Sequence, residues 1–128
     1  MSKRKSIEVP GITHTHPIPN ASRIGPVLAS GSIFGMDPAT RKIPADIETQ
    51  SKLLFDNVRR IVEAAGGTTD NILKISFYLR DKNLRQQINK EWLAMFPDQH
   101  SRPARHSFQT DDLAEGVLVS CDILAVFE

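Results

Sequence analysis

The run Arg102-Pro103-Ala104-Arg105-His106-Ser107-Phe108 sets two guanidiniums three residues apart around a proline. Pro103 fixes its own φ and biases Arg102 toward an extended conformation, so the approach to Arg105 is stiff. From Ala104 the residues alternate. In a strand, Ala104, His106 and Phe108 face one side and Arg105 and Ser107 the other. An arginine on a stiff, extended backbone is suited to grip a planar carboxylate through two parallel N–H bonds. Arg105 is therefore the candidate clamp for a substrate carboxylate, with an intersubunit ion pair as its structural alternative. Arg102 reads as a surface or interface arginine. His14 and His16 stand two apart in a proline-bearing loop and share a side if that loop is extended. No cysteine or carboxylate lies beside them at ligand spacing, so no metal site is expected. A histidine that moves a proton is the better reading, because its pKa lies near working pH. His16 and His106 are the candidates for that role. Asn20 either orients water or a second carboxylate, with Ile18 beside it in the substrate loop, or simply turns the chain after Pro19. Cys121, on an apolar run, reads as a small core residue, and Trp92 and Phe96 read as core and not as a ligand platform.

These side chains need a scaffold, and 128 residues suit a single domain with one core. Sixteen basic residues oppose fifteen acidic ones, and a net charge of +1 supplies no broad positive field for nucleic acid. The basic cluster Lys3-Arg4-Lys5 reads as a solubilising tail. A lone cysteine excludes an intramolecular disulfide and suits a reducing cytosol. No apolar run reaches transmembrane length, and the start of the chain lacks a signal-peptide core. The expectation is a cytoplasmic protein without nucleic-acid or membrane partners and without a cofactor.

Residues 1–11 are polar and are expected to form a flexible tail or a short edge element. The prolines at 17 and 19 make residues 13–23 a loop. Residues 24–34 read as two short strands or one bent strand, and Asp37-Pro38-Ala39-Thr40 as a turn. Asp46 can cap a helix whose apolar row is Ile47, Leu54, Val58, Ile61 and Ala65, ended by Gly66-Gly67. Residues 71–79 alternate as a strand. Asp81 or Asn83 then opens a second helix, with Leu84, Ile88, Trp92 and Met95 inward, which stops before Pro97. Strands at 104–109 and 116–127 complete an α+β layer with both helices on one face of a mixed sheet. Ser76, Tyr78, Ser107, Ser120 and Asp122 are too few polar groups to solvate the other face, so oligomerisation is expected.

Five fragments, in order, resemble the Rid family, the reactive intermediate deaminases also called the YjgF family. Residues 31–40 resemble its SGQIP-DPATG stretch. Pro44-Ala45-Asp46 with Gln50, Asn57-Val58 and Ile61–Gly66 is similar to its DIEAQTRQVLENLKAVLEAAG helix. Residues 72–81 are similar to its VVKTTVYLTD strand, Asn89 falls where its VN pair stands, and Arg102-Pro103-Ala104-Arg105 matches its PARS motif. The resemblance implies a chorismate-mutase-like homotrimer, with three sheets closing a central barrel, helices outside and ligand clefts between subunits. It implies that Arg105 binds the carboxylate of a small imine or enamine, which water hydrolyses to a keto acid and ammonia. Three departures stand out. The family's GPYSQ loop, with its tyrosine, is replaced by His16-Pro17-Ile18-Pro19-Asn20. Ser120 takes the slot where the family places the glutamate that positions water, with Asp122 at the second, more structural acid, and His106 replaces the serine after the arginine. Carried onto this chain, the implied site is His16, His106 and Ser120 for catalysis, with Arg105, Ile18 and Asn20 for binding. The departures suggest a specialised subgroup such as a 2-aminomuconate deaminase. The competing expectation is a non-catalytic trimer that binds keto or amino acids, and the near-neutral charge disfavours a ribonuclease.

Overall fold

The computed structural model describes residues 3–128. Its seven strands are β1 (Lys5–Ile7), β2 (Ala21–Ile24), β3 (Val27–Ser30), β4 (Ile33–Phe34), β5 (Ile72–Leu79), β6 (Ala104–Gln109) and β7 (Val119–Val126). Two helices, α1 (Ile47–Ala64) and α2 (Arg85–Met95), accompany them. The sheet runs β1-β2-β3-β7-β5-β6, with β4 paired to the start of β7. Every pairing is antiparallel except β5 with β6, where Ile75 lies opposite Arg105 and Tyr78 opposite Phe108. This is an α+β single domain with a mixed sheet, and neither helix is long and apolar enough to cross a membrane.

The period-two pattern of the central strands decides which residues meet the helices. Ile75, Phe77 and Leu79 of β5 and Val119, Cys121, Ile123 and Ala125 of β7 are buried on one face. Against them α1 packs Leu54, Phe55, Val58, Ile61 and Val62, and α2 packs Ile88 and Trp92. Phe55 stacks on Phe77 at 5.8 Å between ring centroids, and Trp92 meets the same ring edge-on at 6.2 Å. Asp46 caps α1 as read from the sequence, with its carboxylate accepting from Thr49 N at 2.9 Å. Gly66, at φ 94°, turns the chain out of the helix. The second helix starts later than expected. Asp81 caps a single 3-10 turn at Lys82–Leu84, and the α-helix proper begins at Arg85.

Of the two expectations for residues 1–11, a flexible tail or a short edge element, the edge element is found: β1 pairs Lys5 with Arg23 and Ile7 with Ala21, and Met1 and Ser2 lie outside the described residues. Two readings need correction. The expected loop through Arg23 ends at Asn20, because Gly25-Pro26 makes a two-residue hairpin turn, with Gly25 at φ 54°, that pairs β2 with β3. Ser107, counted with the open face, lies on the helix side opposite Phe77, as its neighbour Arg105 lies opposite Ile75. The open face is accordingly less polar than read. It carries Tyr78, Ser120 and Asp122, but also Phe108 at 47% exposure and Val27 at 45%.

Candidate functional site

Arg105 reaches the helix side of β6 at the sheet's edge. Its Cζ lies 5.1 Å from the Trp92 ring centroid and 5.4 Å from that of Phe77. The two rings hold the planar guanidinium by cation–π attraction and exclude water from one side of it. Trp92 is core, 8% exposed, yet it also serves as a platform. Among the described residues Arg105 makes no ion pair, the two present being Arg59–Asp56 and Lys90–Glu48. Burial first, and then the like charge of Arg85, pulls its pKa below the ordinary guanidinium value. A half-buried, uncompensated guanidinium on an aromatic floor is a receptor for a planar anion.

The opposite face of the sheet holds a second constellation. Ser32, Phe34, Tyr78, Phe108, Ser120 and Asp122 line an open depression of about 560 Å³, closed at one end by the segment 110–114. The Tyr78 hydroxyl donates to Asp122 Oδ2 at 2.8 Å. That bond, then burial, then the charge of Asp122 raise the Tyr78 pKa, so the phenol stays a neutral donor at physiological pH. With Oδ2 taken, Oδ1 of Asp122 is the acceptor left for water. Tyr78 stacks on Phe108 at 5.7 Å, and His106 meets Phe108 edge-on at 5.7 Å. Ser120, 3% exposed, is the neighbour of both Tyr78 and Phe34 in the ladder.

The residues proposed from the sequence are therefore split among three places. Arg105 faces the helices, while His106 and Ser120 face the open side. His16 and Ile18 lie in a separate depression of about 460 Å³ with Ser6, Glu8 and His14. The Nε2 of His14 is buried there without a partner, and its ring meets Phe34 edge-on at 6.4 Å. Asn20 is not free to hold substrate. Its Oδ1 accepts from Val9 N at 2.9 Å, its Nδ2 donates to Ile12 O at 2.9 Å, and the residue is 3% exposed. It straps residues 9–12 to the start of β2, which is a structural task. Arg102 is also spoken for, since it donates to the Phe96 carbonyl at 2.8 Å and that of Pro97 at 3.3 Å. The Cys121 thiol is buried on the helix side, and burial pushes its pKa well up, so no thiolate nucleophile is available. Tyr78 was not singled out from the sequence. The usable signal was the alternation of Tyr78 and Asp122 in two strands that could pair.

Residues 19–127 match the family model described as Endoribonuclease L-PSP. The chain belongs to this family, which includes the Rid or YjgF proteins. It is 33% identical over 127 residues to a RutC family protein of Haemophilus influenzae, covering 90% of this chain and 95% of that one. It is 32% identical over 101 residues to a 2-iminobutanoate/2-iminopropanoate deaminase of Escherichia coli, covering 78% of each. In structure it is similar to E. coli TdcF with bound serine, with a TM-score of 0.89, 27% identity, and coverage of 97% and 99% of the two chains.

On the open face stand Ser120 and the Tyr78–Asp122 pair, and on the helix side Arg105. In a single subunit the sheet itself separates Arg105 from these groups, because successive side chains of a strand point to opposite faces.

Proposed function

We propose that this Rid-family chain hydrolyses small acidic enamines or imines to a keto acid and ammonia. The cleft would form where the Arg105 edge of one subunit meets the open sheet face of the next in a homotrimer. The observation that carries the reading is the uncompensated Arg105 guanidinium on Phe77 and Trp92. The similarity to the 2-iminobutanoate/2-iminopropanoate deaminase of Escherichia coli supports it. Arg105 holds the carboxylate, which orients the adjacent C=N carbon. An enamine first takes a proton on its β-carbon to give the imine. Water then adds to the C=N carbon and its proton passes to the nitrogen, and the carbinolamine expels ammonia, its hydroxyl proton leaving with the nitrogen, to give the C=O. An imine carbon is electrophilic already, so orientation and charge stabilisation suffice and no cofactor is required. Asp122, held by Tyr78, and Ser120 position the water. His106, on the same face, and His16, from its loop, are the groups that move protons. A 2-aminomuconate-type substrate is one proposal within this class, and the reducing cytosol is the compartment that suits the free Cys121.

One observation favours a second reading, a trimer that binds keto or amino acids without turning them over. Ser120 places no carboxylate at the slot where the sequence resemblance implies a glutamate. A coupled ammonia-release assay on 2-aminoacrylate generated in situ, and on 2-aminomuconate, separates the two. Release well above the buffer rate, by a species that light scattering sizes as a trimer, is the expected result. Acid binding with no release would establish the binding protein. A monomer at micromolar concentration would remove the shared cleft.

A further inference from the structure

A groove runs between α2 and the outer edge of β6; Lys82 and Arg85 line it, and Arg105 stands on the same side of β6 over Trp92 of α2. At one end the Lys82 backbone amide donates to Gln109 Oε1 at 3.0 Å. In the middle Lys82, Arg85 and Ser107, with Leu79, Phe108 and Gln109, surround a cavity of about 150 Å³. At the other end Arg105 lies over Trp92. Arg85 and Trp92 are seven residues apart, two helical turns, so they share a face about 10 Å apart along the axis. Arg105 and Ser107 share a strand face with their Cα atoms about 7 Å apart. Arg85 and Arg105 thus stand along one groove, each near a residue on the other's element, and the Arg85 charge is felt at Arg105. Arg85 spends only its Nε, on the Lys82 carbonyl at 3.2 Å, and its terminal nitrogens are left to a ligand. The two ion pairs among the described residues, Arg59–Asp56 and Lys90–Glu48, neutralise none of the three cations. Like charges gathered without a counter-charge are stabilised by an anion that carries more than one.

We infer that the groove selects diacids, with the carboxylate beside the reacting carbon on Arg105 and a distal carboxylate on Arg85, flanked by Lys82 and Ser107. The inference rests on the reading of Arg105 as the carboxylate clamp, and it makes Arg85 a specificity residue. 2-Aminomuconate, a diacid, satisfies both arginines, whereas 2-iminobutanoate leaves Arg85 without a partner.

The stable keto acids serve as probes, and Trp92, the single tryptophan, reports them by fluorescence. 2-Oxobutanoate, 2-oxoglutarate and 2-oxoadipate are titrated into the full chain. One added charge-assisted contact gives an expected preference of about tenfold for the better-fitting diacid. Arg85→Gln should remove most of that preference and weaken the monoacid far less, and Arg85→Lys should restore part of it. Circular dichroism checks the fold of both variants, whose substituted side chain is exposed. Equal affinity for monoacid and diacids, or equal loss of both in Arg85→Gln, would overturn the inference while leaving the clamp standing. Monoacid binding that survives Arg105→Ala, or no binding of any probe, would overturn the clamp and this inference with it.

Discussion

Arg105→Ala is expected to lower acid binding and ammonia release by about 30-fold to several thousand-fold, the 2–5 kcal/mol that truncating one partner of a buried, hydrogen-bonded charge pair costs. Arg105→Lys should fall between, since it keeps the charge and loses the planar fork that meets a carboxylate with two parallel bonds. Stability should change little. The guanidinium gives up only its contact with the Phe77 and Trp92 rings, worth about 0.5–1 kcal/mol at a partly exposed site. Thermal melts, light scattering and Trp92 fluorescence titrations on the same variants measure the three quantities separately. Loss of assembly with ligand affinity kept would make Arg105 an interface ion pair instead.

The second large effect is structural. Gln50 is fully buried and its side chain bonds three backbone groups on two other segments of the chain. Its Nε2 donates to the Pro44 carbonyl at 2.7 Å and to that of Gly116 at 2.9 Å, and its Oε1 accepts from Leu118 N at 3.0 Å. The first turn of α1 is thereby fixed to the chain entering β7, the strand that carries Ser120 and Asp122. Gln50→Ala would leave these groups unsatisfied around a new cavity, so a loss of about 3–5 kcal/mol is expected. Gln50→Met should recover the packing but not the hydrogen bonds, and land between. Chemical denaturation at fixed protein concentration measures both, and a cost below about 1 kcal/mol for Gln50→Ala would show that water replaces the amide.

Much of this architecture was legible because the strongest patterns in the chain are also its packing. The row from Ile47 to Ala65 with its Asp46 cap, and the alternation from Ile75 to Leu79, depend on local periodicity that the core then uses. Leu73, read with that alternation, is 56% exposed, because a register shift between Ile72 and Lys74 puts Ile72 inward instead. The strand at 104–109 was placed correctly, and with it the opposite facing of Arg105 and His106. What could not be read depends on contacts between segments far apart in sequence. Asn20 reads as a turn residue until Val9 and Ile12 are seen to converge on its amide. Residues 1–11 read equally as a tail or an edge element, because Lys5–Ile7 has no apolar alternation of its own and exists as a strand through its pairing with β2. Tyr78 and Asp122 stand 44 positions apart, and only the β5–β7 register brings them to 2.8 Å. Within the site, residue types carried the chemistry of Arg105. The sharing of a strand did not reveal which face each group would serve.

That division of faces leads to the most direct test of a site shared between subunits. Arg105→Ala and Asp122→Ala chains, each expected to be inactive alone, are mixed, dissociated and reassembled, and ammonia release is followed. If one subunit supplies Arg105 and its neighbour Asp122, random trimers from an equal mixture carry both groups at about one quarter of their sites, and about that fraction of wild-type activity returns. If mixing restores nothing while light scattering confirms reassembly, the two residues do not meet across an interface, and the shared deaminase cleft is contradicted.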